Sequence, residues 1–279
     1  MNPKISVIIT SYNREKYISA AISSVLQSTF DDWELIIADD CSDDCSHKIA
    51  CDFAKIDNRI RVIRNEKNIG DYPNRINCIK NANGDWIKFV DCDDFISKDC
   101  LQIMYDYACR TNLDFGICAP KNLECQCIDS TAAFDSGVLF YYGPTGSFFK
   151  KSKYDSLGGF VRRITVSDWH MWCRFAMDQD IMIFPEYLAT WRDHEDNTLK
   201  SDNHIEGVLK YYLKSHFEIL GSNKHPYDLK KKKKIFRKHF RETFLLCLKF
   251  SLRRKSPFMV LIFIFNNLFF LVSKFNHDR

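Results

Sequence analysis

Short runs of β-branched and aliphatic residues recur along the first part of the chain, and three of them end in polar or acidic clusters. The run ISVIIT ends in SYNR, WELIIA ends in DDCSDD, and WIKFV ends in DCDD. Segments with apolar residues at helical spacing separate these runs. Strands that alternate with helices form βαβ units and pair in parallel. The pattern therefore predicts an α/β fold with a mostly parallel central sheet flanked by helices.

The same periodicity places the individual elements. The middle segment 122–135 has no clear period and receives no assignment. The predicted strands are Lys4–Thr10, Trp33–Ala38, Arg61–Arg64, Trp86–Val90, Asp114–Ala119, Val138–Tyr142, Phe148–Phe149, Ile181–Phe184 and Tyr187–Trp191. The predicted helices are one that carries Ile18, Ala21, Ile22, Val25 and Leu26 and stops before Phe30, Ser46–Ala54, one that opens near Pro73, Leu101–Arg110 and Asp168–Met177.

Charge divides the chain into two parts. Residues 1–223 carry 25 Lys and Arg against 33 Asp and Glu, whereas residues 224–279 carry 15 against 3. We therefore predict an acidic catalytic domain over 1–223 and a basic tail over 224–279 that meets an anionic surface.

The start of the chain has no apolar signal segment, and the twelve Cys are scattered instead of being spaced like a disulfide framework. Both features indicate a cytoplasmic protein with reduced thiols.

The composition of the tail favours a membrane over a nucleic acid. Lys230–Lys234 is an unbroken basic run, and Phe and Leu then recur every four residues from Phe236 to Leu252. This is the pattern of a basic amphipathic helix in the headgroup plane. The stretch 258–272 holds 13 apolar residues in 15, which is shorter than the ~20 residues of a spanning helix. We expect an interfacial or re-entrant anchor; the alternative is that these helices pack back on the body.

The acidic cluster that follows WIKFV has the chemistry of a cation site. Asp91, Asp93 and Asp94 offer hard oxygen ligands, and magnesium is usually held by one or two carboxylates together with substrate phosphates. A solvated acidic turn is the alternative interpretation.

Asp40 follows the apolar run WELIIA and can accept a hydrogen bond from a base or a ribose. The chain contains neither GxGxxG nor the P-loop signature, which argues against hydride transfer and P-loop phosphoryl transfer.

These motifs together resemble glycosyltransferase family 2, whose members have the GT-A fold. The resemblance covers about residues 4–198, and its motifs are SVIITSYNR, DDCSDD, NIGDYPNR, GDWIKFVDCDD, SDWHMWCRFA and WRDHEDN in the family's order. It implies an inverting, metal-dependent enzyme that moves a sugar from a nucleotide-sugar to an acceptor hydroxyl. It also implies Mn²⁺ or Mg²⁺ as cofactor and UDP as the nucleotide.

On the donor side, the resemblance gives roles to five positions. Thr10 and Tyr12 frame the nucleotide base, and Asp40 binds its edge. Arg75 approaches the nucleotide or its diphosphate, and Asp93 lies near the ribose and the metal. Cys41 departs from the family's pattern, because Gly or Asn usually follows the acidic pair.

The remaining roles concern the metal and the chemistry. Asp91, Asp93 and Asp94 match the DxD element, with Asp94 as the direct metal ligand. His194 matches a histidine that completes metal or diphosphate binding. Asp168 matches the catalytic base that activates the acceptor hydroxyl.

The expected partners are a nucleotide-sugar donor, a glycan or lipid-linked acceptor and the inner face of the plasma membrane, with no nucleic acid. Cell-surface polysaccharide synthesis is the setting that the resemblance implies. Two other functions stay open: a non-catalytic nucleotide-sugar or glycan-binding protein of the same fold, and a nucleotidyltransferase.

Overall fold

The computed structural model describes residues 2–140, 143–162, 166–195, 215–216, 218–235, 238, 241 and 245. The chain divides into two compact units. The first comprises residues 1–163 and 167–193, and the second comprises 164–166 and 194–279. The domain boundary predicted after Asn223 falls within the second unit.

A mostly parallel sheet forms the centre of the first unit, which confirms the predicted fold class. Its order is β3-β2-β1-β4-β8-β6-β9-β7, and β8 inserts antiparallel between β4 and β6. A separate two-stranded pair joins β5 and β10. The strands are β1 Ile5–Ser11, β2 Trp33–Asp39, β3 Ile60–Arg64, β4 Trp86–Phe89, β5 Phe95–Ile96, β6 Phe115–Cys118, β7 Gln126–Ile128, β8 Ser147–Lys150, β9 Ile181–Phe184 and β10 Ala189–Thr190.

Strand β1 lies at the centre of the parallel half of the sheet, between β2 and β4. All of its residues are buried, which explains a continuous apolar run instead of an alternating one. From β1 the chain builds outward through β2 and β3, and then returns to the other side of β1 as β4. This reversal makes a topological switch point between β1 and β4, where open α/β sheets bind their ligands.

Helices flank the sheet and pack on it with apolar stripes. In the first helix, Ile18, Ala21, Ile22 and Val25 are buried at helical spacing, as the sequence predicts. The helices are α1 Ile18–Leu26, α2 Ser46–Ala54, α3 Asp71–Asn81, α4 Cys100–Thr111, α5 Ser130–Ser136, α6 Lys151–Ser156 and α7 Ser167–Asp178.

Three segments differ from the predictions. The strand predicted over 138–142 is wrong in its described part, because Val138–Phe140 forms a 3₁₀ turn directly after a left-handed Gly137. The strand predicted over 187–191 is reduced to β10, since a 3₁₀ turn at Glu186–Leu188 comes first. The unassigned segment contains β7 and α5, and α5 begins where Asp129 Oδ1 accepts a hydrogen bond from the N–H of Ala132 (2.8 Å).

Most of the predicted tail helices lie outside the described residues, including the whole of 258–272 and most of 236–252. Residues 229–235, which include the lysine run, are helical. Among the described residues, no helix combines the length and the apolar content needed to cross a membrane.

Cys41 adopts a backbone conformation that its side chain disfavours. Its φ angle is +63°, in the left-handed region, where a β-carbon crowds the following carbonyl. The turn lets the N–H of Ser42 donate to Asp39 Oδ2 (3.1 Å), so the chain folds back at the end of β2. The departure from Gly or Asn at this position therefore keeps the turn but strains it.

Replacing Cys41 by asparagine should raise the free energy of unfolding by up to about 1 kcal/mol, because Asn tolerates the left-handed region. Replacement by valine should lower it by about 1–2 kcal/mol. Urea titration followed by tryptophan fluorescence measures both values. The same pair of variants at Cys109, which is exposed in a helix, is the control and should differ by less than about 0.5 kcal/mol. Equal stability of Cys41→Asn and Cys41→Val would contradict the strain.

Candidate functional site

The residues predicted to frame a nucleotide base meet at the ends of β1 and β2. Thr10 is buried near the end of β1, and Tyr12 follows the strand with 43% of its surface exposed. The N–H of Asp40 donates to the carbonyl of Ser11 (2.8 Å), which holds the two strand ends together. Thr10, Tyr12 and Asp40 therefore lie at the edge of the sheet where the switch point opens.

The carboxylate of Asp40 organises the loop that leads into α3. Its Oδ1 accepts hydrogen bonds from Asn65 Nδ2 (2.8 Å) and from the N–H of Ile69 (2.9 Å), and its Oδ2 accepts from the N–H of Gly70 (2.8 Å). Asn74 joins the same network, since its Oδ1 accepts from Asn65 (2.9 Å). Asp40 thus anchors the start of α3 to β2, and its predicted contact with the base stays a prediction.

Arg75 is a buried cation between two carboxylates. Its guanidinium lies 2.8 Å from Asp71 and 2.7 Å from Asp91, and it packs over the ring of Phe89. Burial alone would lower the pKa of Arg75, but Asp71 and Asp91 outweigh this effect and raise that pKa well above its usual value. Arg75 therefore ties α3 to the first carboxylate of the acidic cluster.

Asp94 is the most buried carboxylate of the cluster. Its Oδ2 accepts from the hydroxyl of Thr145 (2.7 Å), and its Oδ1 accepts from the N–H of Arg192 (3.1 Å). Burial and the neighbouring charges of Asp91 and Asp93 raise the pKa of Asp94 to about 7. Asp94 is therefore protonated more readily than an ordinary carboxylate.

Thr145 and Lys88 fix the geometry of this cluster, and sequence reasoning missed both. Thr145 Oγ1 accepts from the N–H of Asp91 (2.9 Å) while it donates to Asp94. Lys88, which is fully buried on β4, donates through Nζ to the carbonyls of Thr145 and Ser147. A lysine inside the apolar run WIKFV was the signal that could have found this support, because a buried ammonium needs dedicated acceptors.

Two arginines complete the surroundings of the acidic cluster. Arg14 Nε lies 3.5 Å from Asp93 Oδ2. Arg192 donates through Nε to the carbonyl of Asp93 and through Nη2 to the carbonyl of Tyr17 (3.3 Å). These contacts join the end of β4 to the segments that follow β1 and β10.

The acidic cluster fits a divalent ion that is held in part by substrate. The described residues contain no group of three or more His, Cys, Asp or Glu side chains placed to hold a metal by themselves. Asp93 and Asp94 supply hard oxygens, and Mg²⁺ or Mn²⁺ commonly takes only one or two protein carboxylates beside phosphates. Asp91 is already paired with Arg75.

Asp168 lies in the first turn of α7 and is connected to α3. Its Oδ1 accepts from the hydroxyl of Tyr72 (2.7 Å) and from the N–H of Trp169 (2.8 Å). Burial raises the pKa of Asp168, and the two hydrogen bonds oppose that rise. Trp169 is 7% exposed, as expected for a core side chain. A partly buried carboxylate with a raised pKa has the character of a general base.

His194 belongs to the second unit and is the first residue of its longer segment, 194–279. The other predicted site residues all lie in the first unit. Its role toward a metal or a diphosphate stays a prediction.

Part of the chain matches a known protein family. Residues 6–123 match the model of glycosyl transferase family 2. The UDP-Glc:α-D-GlcNAc-diphosphoundecaprenol β-1,3-glucosyltransferase WfgD of Escherichia coli is 37% identical over 111 residues, which cover 40% of this chain and 43% of that protein. The poly(ribitol-phosphate) β-glucosyltransferase of Bacillus spizizenii is 31% identical over 157 residues, or 52% of this chain and 25% of that protein. The chain spans less than half the length of such curated relatives.

Solved structures share the fold at low identity. TarS of S. aureus, residues 1–349 in complex with UDP-GlcNAc, aligns with a TM-score of 0.63 at 19% identity over 84% of this chain and 70% of that chain. The mannosyltransferase PcManGT of Pyrobaculum calidifontis, in complex with GDP-Man and Mn²⁺, aligns with a TM-score of 0.64 at 12% identity over 98% of this chain and 76% of that chain.

The sheet order, the strand-end carboxylates and the sequence match agree with one another. The chain has the GT-A fold, and its residues 6–123 are similar to glycosyltransferase family 2.

Proposed function

We propose that this protein transfers a sugar from a nucleotide-sugar to a hydroxyl group of a glycan or lipid-linked acceptor during cell-surface polysaccharide synthesis. The observation that carries the proposal is the meeting of donor-side and acceptor-side groups on α3. Arg75 of this helix holds Asp91 of the acidic cluster, and Tyr72, one turn earlier, holds Asp168. This connection supports the proposal, because α3 links the residue proposed at the diphosphate to the residue proposed as the base.

The relatives support the substrate classes. WfgD is named for a UDP-glucose donor and a diphosphoundecaprenol-linked acceptor, and TarS is solved with UDP-GlcNAc. PcManGT is solved with GDP-Man. We favour UDP as the nucleotide here, with the base beside Thr10, Tyr12 and Asp40 at the switch point.

In the proposed mechanism, the carboxylate of Asp168 takes the proton of the acceptor hydroxyl. The hydroxyl oxygen forms a bond to the anomeric carbon, and the bond from that carbon to the diphosphate oxygen breaks with its electron pair. A base on the face opposite to the leaving group gives a single displacement with inversion. Asp93 and Asp94 would hold a divalent ion, which neutralises charge on the diphosphate when it is bound.

The direct test incubates the protein and Asp168→Asn with a panel of UDP- and GDP-sugars and Mn²⁺, and follows the release of nucleoside diphosphate. The wild type should release it from at least one donor, and excess EDTA should abolish that release. Asp168→Asn should lose about 10²–10⁴-fold in turnover at nearly unchanged donor affinity, because the amide keeps the shape of the side chain and removes its basicity.

Asp106→Asn, an exposed carboxylate on α4, is the matched control and should behave as the wild type. Donor binding without any turnover would favour the non-catalytic binding protein, and turnover of nucleoside triphosphates would favour a nucleotidyltransferase. Wild-type turnover in Asp168→Asn would remove Asp168 from the mechanism.

We also propose that the basic tail binds the inner face of the plasma membrane. The described part of the tail supports this through the helix 229–235, where five consecutive lysines are exposed or half-buried. Lysines near an anionic surface contribute roughly 1 kcal/mol each, and salt weakens the attraction. A lipid-linked acceptor would then be reached from the membrane on which the enzyme sits.

Vesicle flotation with the full chain tests this proposal. Anionic vesicles should recruit the wild type, and replacing Lys230–Lys234 by glutamine should reduce binding by about tenfold or more. The control replaces five exposed lysines of the first unit, namely Lys48, Lys55, Lys67, Lys80 and Lys98. Equal loss in both variants, or no loss in either, would contradict a role for the tail.

A further inference from the structure

The two carboxylate oxygens of Asp168 have different surroundings. Oδ1 accepts two hydrogen bonds, from the Tyr72 hydroxyl and from the N–H of Trp169. No described residue donates a hydrogen bond to Oδ2, and a β-carbon built on Gly143 would lie 3.9 Å from it. Gly143 is exposed, and the Asp168 residue is itself partly accessible. Among the described residues, Oδ2 is therefore the carboxylate oxygen that has no hydrogen-bond donor.

The hydroxyl of Tyr72 donates a hydrogen bond to the carboxylate of Asp168. The same hydroxyl also accepts a hydrogen bond from the N–H of Asp168 (3.3 Å), and the Tyr72 ring packs edge-on against Phe160. Burial and the negative charges of Asp168 and Asp71 raise the pKa of Tyr72 well above its usual value. The raised pKa favours the protonated phenol, which is the form that donates to Oδ1.

We propose that Oδ2 of Asp168 is the atom that accepts the proton, and that Tyr72 is a positioning residue that fixes the carboxylate through Oδ1. The inference rests on the proposed function and deepens it. The acceptor O–H bond breaks and its proton moves to Oδ2, while the oxygen bonds to the anomeric carbon and the nucleoside diphosphate leaves with the electron pair. Tyr72 keeps its own proton throughout and remains the donor to Oδ1.

The charged and titratable groups around Asp168 give the proposal a pH signature. Burial raises the pKa of Asp168 and Asp71 adds to the rise, whereas Tyr72, the N–H of Trp169 and Arg75 lower it. Tyr72 stabilises the ionised carboxylate, so its removal should raise the pKa of Asp168 further. The base works only when it is ionised, and the acid limb of the rate profile should therefore move to higher pH.

The experiment measures the pH dependence of kcat/KM for the wild type and Tyr72→Phe on the donor that the panel identifies. We expect the acid limb of Tyr72→Phe to move up by about one pH unit, as for the loss of one hydrogen bond to a charged group. Tyr154→Phe is the matched control, because the Tyr154 hydroxyl is also buried but accepts from the N–H of Phe160 (2.8 Å). The acid limb of the pH profile of Tyr154→Phe should lie at the same pH as that of the wild type.

A second pair of variants tests the assignment of Oδ2. Gly143 has an ordinary φ of −66°, so a side chain is tolerated by the backbone. Gly143→Leu should fill the space before Oδ2 and reduce transfer at least tenfold with unchanged affinity for the donor, whereas Gly143→Ala should have a small effect. Full transfer by Gly143→Leu would overturn the assignment.

The outcomes separate this inference from the proposed function. If Asp168→Asn loses transfer while Tyr72→Phe lowers the rate equally at every pH, Tyr72 is only structural and the inference fails. If Asp168→Asn transfers at the wild-type rate, the proposed base itself is wrong.

Discussion

The buried guanidinium of Arg75 is the contact on which the rest of the site depends. It lies between Asp71 on its own helix and Asp91 at the end of β4, with Phe89 beneath it. Removing one partner of a buried ion pair costs about 3–5 kcal/mol, because the other charge is left uncompensated. The position of Asp91 is therefore tied to the position of α3, and the residues that follow Asp91 inherit this constraint.

Two further supports reach the acidic cluster from other parts of the fold. Lys88 holds the carbonyls of the 144–147 turn, and Thr145 of that turn bridges the N–H of Asp91 and the carboxylate of Asp94. The first turn of α3 also carries Tyr72, which reaches Asp168. One short helix thus connects the acidic cluster to Asp168. Function requires such support, because carboxylates that face a ligand must be held in place by residues that do not.

The sequence predicted the fold class and the strand-end carboxylates because both follow from local patterns. Continuous apolar runs identify buried parallel strands, and polar clusters at their ends identify the edge that binds ligands. Lys88, Thr145 and Tyr72 act through contacts across 57, 51 and 96 residues of sequence, and no local period encodes such partners. The antiparallel insertion of β8 is non-local in the same way. The Val138–Phe140 segment has strand-like residues, but it follows a left-handed Gly137 and forms a 3₁₀ turn.

The central claim is that the acidic cluster beside the switch point holds the donor diphosphate with the help of a divalent ion. Calorimetric titration of UDP into the protein tests it most directly, with and without Mn²⁺, for the wild type, Asp94→Asn and the surface control Asp106→Asn. We predict Mn²⁺-dependent binding in the wild type and in the control, and a loss of about tenfold or more in Asp94→Asn with an unchanged unfolding midpoint. Equal Mn²⁺-dependent affinity for UDP in Asp94→Asn and the wild type would contradict the account.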